Sequence, residues 1–88
     1  MNTAFKNSFL KELKKLKNKS LKETVYNCIL QVESAKNISE IRNLKKLSGY
    51  EMYYRIRIGD YRIGIKIDNE VIYFVVLDHR KDIYKGFP

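Results

Sequence analysis

The sequence predicts an α+β fold: an N-terminal helical hairpin packed on one face of a three- to four-stranded antiparallel sheet. Three observations carry this. Apolar residues recur at helical spacing as far as Ser34, then at a period of two from Tyr50 onward. Gly59-Asp60 separates two strictly alternating runs, the signature of a tight β-hairpin. The only proline is Pro88, so no earlier element is interrupted. A chain of 88 residues has room for one domain, spanning 1–88, and for a small core.

Thr3-Ala4-Phe5 predicts a short opening strand. Phe9, Leu10, Leu13 and Leu16 then place a helix over about Ser8 to Lys17, with lysines between the apolar positions. Ser20-Leu21-Lys22-Glu23 has the form of a capping box, in which the serine accepts from the N3 amide and the glutamate reaches back. It predicts a second helix from Leu21 to about Ser34, with Leu21, Val25, Cys28, Ile29 and Val32 on its buried face. Cys28 is therefore read as a core residue. Residues 36–49 connect the halves, with a helical turn capped by Ser39 and a break at Ser48-Gly49.

Tyr54, Ile56 and Ile58 alternate with Tyr53, Arg55 and Arg57; Tyr61, Ile63, Ile65 and Ile67 alternate with Arg62, Gly64 and Lys66. After a turn at Asp68-Asn69-Glu70, the run Val71 to Leu77 is apolar on both faces, which places it inside the sheet. The helices should cover the isoleucine face, leaving the arginines on the other.

The net charge is +8. It divides unevenly, with +7 in residues 1–49 and +1 in residues 50–88, yet the second half holds four of the five arginines. This basic excess points to a polyanionic partner. One cysteine excludes an internal disulfide and a cysteine-cluster metal site. No apolar run approaches the length of a membrane span, and the N-terminus lacks a signal-peptide core, so no membrane partner is expected and the default compartment is the cytoplasm.

A two-residue loop at Gly59-Asp60 sets Arg57 opposite Arg62, Arg55 opposite Gly64 and Tyr53 opposite Lys66, all on one side. Like charges directly opposed on neighbouring strands destabilise the pair. A bound anion removes that penalty. Arginines for phosphates and tyrosines for stacking are the side chains that RNA recognition uses. Gly64 is read as an opening through which a ligand backbone approaches. His79, the only histidine, follows the inner strand and is placed at the rim of this face as a proton-transfer candidate. Long arginine stems lying over an apolar face are the alternative.

The ordered set Tyr54-Arg55-Ile56-Arg57-Ile58, Gly59-Asp60-Tyr61-Arg62-Ile63 and His79-Arg80-Lys81-Asp82-Ile83-Tyr84, behind two basic helices, resembles the RelE/ParE superfamily of toxins from toxin–antitoxin pairs. The likeness is strongest to the RelE-type messenger-RNA interferases. It implies a toxin that enters the ribosomal A site and cuts mRNA by attack of the ribose 2′-OH on the adjacent phosphate. No metal or other cofactor is implied, because the nucleophile belongs to the substrate.

By resemblance, the catalytic set is Arg55, Arg57, Arg62, His79, Arg80 and Tyr84, with Arg62 stabilising the scissile phosphate and Tyr84 stacking on a base or protonating the leaving oxygen. Tyr53, Lys66, Lys81, Lys45 and Lys46 are the accompanying RNA-binding candidates. Arg55 and Arg57 stand where some members have lysines, and arginine is a poor proton acceptor. That leaves His79, Glu51 or Asp78 for the base. The implied partners are a cognate antitoxin with an acidic, partly helical segment, and mRNA with ribosomal RNA. Two other readings share these features: a ParE-like toxin acting on DNA gyrase, and a non-catalytic RNA-binding relative.

Overall fold

The computed structural model describes residues 1–88. In chain order the elements are β1 (Asn2–Phe5), α1 (Asn7–Lys15), α2 (Lys19–Ser34), a 3₁₀ turn (Ile38–Glu40), β2 (Leu44–Lys46), β3 (Tyr53–Ile58), β4 (Tyr61–Asp68), β5 (Val71–His79) and a last 3₁₀ turn (Ile83–Lys85). The sheet has five strands in the order β1-β5-β4-β3-β2. The expected meander is its centre. β1 adds on parallel to β5, so the sheet is mixed, and β2 adds antiparallel to β3. β2 is the strand absent from the sequence reading. It is three residues long and lysine-bearing, which is how a sheet blunts an edge.

Both helices pack on one face, as the isoleucine alternation requires. Phe9 and Leu13 of α1 and Val25, Ile29 and Val32 of α2 meet Ile56, Ile58, Ile63, Ile65, Ile72, Phe74 and Leu77 in one core. Phe9 and Phe74 meet within it and the exposed Phe5 ring lies against both at its edge, with ring centroids 5.1–5.9 Å apart. Cys28 is half-buried against this core. Its burial pushes the thiol up to about 11.

Two caps differ from expectation. Asn18, not Ser20, caps α2: its side chain accepts from the Leu21 amide at 3.0 Å. Asn37, not Ser39, caps the 3₁₀ turn, accepting from the Ser39 amide at 3.0 Å. In both places an asparagine two residues upstream satisfies the orphan donor first.

The β3–β4 register is the expected one, with Arg57 opposite Arg62, Arg55 opposite Gly64 and Tyr53 opposite Lys66. Gly59 supplies φ +63° at the first loop position. The β4–β5 loop is only Asn69-Glu70, both at positive φ, because Asp68 pairs with Val71. The β4–β5 ladder also carries a bulge. Ile65 pairs with Phe74 but Gly64 pairs with Val76, which leaves Val75 as an extra residue on β5. The Ser8 hydroxyl of α1 donates to the Val75 carbonyl there.

Candidate functional site

The sheet face away from the helices presents Lys45, Arg55, Arg57, Arg62 and Asp78 from four neighbouring strands. The Arg55 and Arg62 side chains are held by local backbone carbonyls. Asn43 adopts φ +62°, and its carbonyl accepts from both the Arg57 amide at 3.2 Å and the Arg55 guanidinium at 3.1 Å. The hairpin turn does the same for two further arginines. One Arg62 nitrogen donates to the Gly59 and Tyr61 carbonyls at 2.8 and 3.0 Å. The Arg80 amide donates to the Asp60 carbonyl at 2.7 Å, and its guanidinium lies 3.8 Å from the Asp60 carboxylate. Both side chains of that pair are exposed, so it orients Arg80 more than it stabilises the fold.

None of Arg55, Arg57 and Arg62 forms an ion pair. Burial lowers the Arg62 guanidinium below the usual arginine value, and the charges of Arg55, Arg57 and Arg80 lower it further, against an opposing contribution from Tyr84. These five side chains therefore share one electrostatic neighbourhood. Tyr84 is exposed beside it. It borders a groove of 410 Å³ together with Lys45, Lys46, Arg55, Tyr50 and Phe87. Lys46 alternates toward Tyr54 in register, yet on this short edge strand it still reaches the groove.

His79 is not part of this cluster. It pairs with Tyr61 and stacks edge-on against that ring at 5.5 Å, on the helix side of the sheet. Its Nδ1 accepts from the Lys81 amide at 3.2 Å, so the imidazole closes a turn. The cause is the bulge at Val75. One extra residue reverses the alternation of everything after it, sending His79 away from the arginines and Asp78 toward Arg62. Lys81 is exposed in the turn beyond, and only its amide is engaged.

Gly64 also differs from expectation. A Cβ built on it would lie 2.7 Å from both the Phe87 ring and the Val76 methyl. The glycine opens space, but the C-terminal segment fills it. Leu47, Ile83 and Phe87 form a second small core over this spot, flanked by Tyr53, Val75 and Val76. The ridge divides the face. Tyr53 and Lys66 lie beyond it, in a separate groove with Lys6 and Tyr73. Phe87 is the structural residue that sequence reasoning missed. A glycine inside a strand signals a close approach, and an aromatic near the chain end was the available partner.

No three His, Cys, Asp or Glu side chains converge as a metal site would require. The arrangement can bind and stabilise a phosphate with several fixed cations, place one carboxylate beside it and lay an aromatic phenol across the groove.

Comparison with known proteins agrees with this fold. The family model for the ParE toxin of the type II toxin–antitoxin system parDE matches residues 4–84. Toxin RelE3 of Methanocaldococcus jannaschii is 35% identical over 89 residues, covering all of both chains. The RelB–RelE antitoxin–toxin complex from Methanococcus jannaschii contains a chain that superposes with TM-score 0.78 at 34% identity, covering 96% of this chain and 98% of that one. The archaeal RelE–RelB complex from Pyrococcus horikoshii OT3 shares the fold, with TM-score 0.72 at 24% identity over 90% of this chain and 93% of the other. The chain belongs to the RelE/ParE superfamily and is a RelE-like toxin of a type II toxin–antitoxin system.

Proposed function

We propose that this toxin is a ribosome-dependent endoribonuclease that cuts mRNA in the A site without a metal ion. The observation that supports this most is Arg57 set directly opposite Arg62, with Arg55, Arg80 and Tyr84 close by and no carboxylate ion-paired to the strand arginines. A sheet serving stability alone gains nothing from that opposition; a phosphate turns it into a binding site.

In the proposed reaction the ribose 2′-OH attacks the adjacent phosphorus, and the 5′-oxygen of the next nucleotide leaves. The products are a 2′,3′-cyclic phosphate and a 5′-OH. Arg62, tied down through one nitrogen by two carbonyls, offers its remaining N–H groups to the non-bridging oxygens as charge builds there. Arg55 and Arg57 hold the phosphate from the next strand. With His79 on the other face, the base role falls in this reading to Asp78, which pairs with Arg62 in register and whose Oδ1 accepts from the His79 amide at 2.8 Å. The Tyr84 phenol supplies a proton to the leaving oxygen or stacks on a base. The +7 carried by residues 1–49 suits docking on ribosomal RNA, and an antitoxin with an acidic segment would cover the same surfaces.

The test uses purified ribosomes programmed with a defined mRNA. Arg62→Ala should reduce single-turnover cleavage by about 10²–10³-fold, the usual loss on removing one such donor. Cleavage at the wild-type rate would overturn the assignment. The family model carries the ParE name, which keeps gyrase as the second target; inhibition of DNA supercoiling with intact mRNA would establish that reading instead.

A further inference from the structure

We infer that the far end of the sheet face, beyond the Phe87 ridge, is a second station for single-stranded RNA. It would hold a base and phosphate of the same strand whose scissile phosphate lies among the arginines. This rests on the proposed ribonuclease reading and adds a substrate-positioning site to it.

The geometry of that end is distinct. Lys66 on β4 stands between Tyr53 on β3 and Tyr73 on β5. The Lys66 ammonium lies 6.0 Å from the Tyr53 ring centre, and the Lys6 ammonium lies 5.0 Å from that of Tyr73. Together with Asp68 and Val75 these four residues enclose a groove of 310 Å³. Neither lysine is ion-paired. Tyr53 is braced edge-on by Tyr50 at 5.9 Å and Phe87 at 5.6 Å, and the Lys6 amide is bonded to the Phe74 carbonyl at 2.9 Å. The station is therefore built on fixed supports.

Two aromatic planes with a cation over each are what a stacked base and its phosphate require: the base covers a ring and the ammonium moves to the phosphate. Asp68 is an acceptor for an exocyclic amine. Arg62 and Lys66 are four residues apart on β4. That is roughly 13 Å at the strand rise, so one extended strand crossing the ridge meets both ends. If the lysine stems only shield the tyrosine faces, no RNA dependence will appear.

The experiment maps amide chemical shifts of the full-length wild-type chain on titration with 2′-O-methyl hexauridylate, hexaadenylate and the corresponding dinucleotides, which lack the 2′-OH nucleophile and are not cut. The hexanucleotides should perturb Lys66 and Tyr73 as well as the arginine end, and bind tighter than the dinucleotides. Tyr73→Leu combined with Lys66→Gln should weaken hexanucleotide binding by about tenfold. It should leave dinucleotide shifts near Arg57 unchanged. Hexanucleotide shifts confined to the arginine end overturn the station and leave the cleavage reading standing. Equal affinity for the two lengths overturns the single-strand path. No shift at either end overturns the station, and the cleavage reading then stands or falls on the programmed-ribosome assay.

Discussion

Gly64→Ala probes the junction between the sheet face and the C-terminal segment. An alanine in a strand interior ordinarily gains about 0.5–1 kcal/mol over glycine. Here the added Cβ would come within 2.7 Å of both Val76 and Phe87. Val76 is fixed in β5, so the Phe87 ring must yield. Phe87 is only 4% exposed. Overpacking of this kind costs about 1–3 kcal/mol. Set against the intrinsic gain, the net loss centres on about 1 kcal/mol, or about 4–8 °C in Tm for a domain of this size. The assay is thermal and urea unfolding followed by circular dichroism, for Gly64→Ala, Phe87→Ala and the double variant. The two changes should couple by about 1 kcal/mol or more, since removing the ring removes part of the clash. Cleavage should fall beyond the loss of folded protein, because Tyr84 rides on the displaced segment. If Gly64→Ala leaves Tm unchanged, or costs the same with and without the Phe87 ring, the packing described at this junction is wrong.

Glu70 holds φ +67°, a conformation unfavourable to any residue with a Cβ; Glu70→Gly should raise stability by up to about 1 kcal/mol in urea unfolding. Asn18→Ala should cost about 1 kcal/mol as the true cap of α2, while Ser20→Ala should stay within about 0.5 kcal/mol. The Cys28 thiol keeps its proton in the folded chain up to about pH 11 but loses it near 9 when unfolded. Its contribution is therefore intact below pH 9 and lost as pH rises toward 11, so wild type should lose stability across that window faster than Cys28→Ala. The same thiol should react slowly with a disulfide reagent at pH 8 and rapidly once the chain is denatured.

The central hairpin was legible because one glycine fixed its loop and every β3–β4 pairing followed from it. Arg57 against Arg62 came directly from counting outward from Gly59-Asp60. The failure at His79 has an equally local cause. An unbulged β5 would put His79 on the arginine face, and nothing in the run Val71 to Leu77 marks Val75 as the extra residue, since all its neighbours are apolar. β2 was hidden by its length: three residues, two of them lysines, have no alternation to read. The opening strand was visible as Thr3 to Phe5, but its parallel pairing with β5 is a tertiary fact. Gly64 was recognised as an opening and given the wrong occupant. A strand glycine reports that something approaches, while the identity of the approaching group depends on where residues 83–88 fold back.

The claim that the arginine cluster cuts RNA is tested most directly by primer extension on mRNA from cells producing the toxin, the Arg62→Ala variant, or the toxin with its antitoxin. New 5′ ends within translated codons are expected for the toxin alone, and none for the other two. Intact transcripts in toxin-arrested cells, or the same cuts with Arg62→Ala, would contradict it.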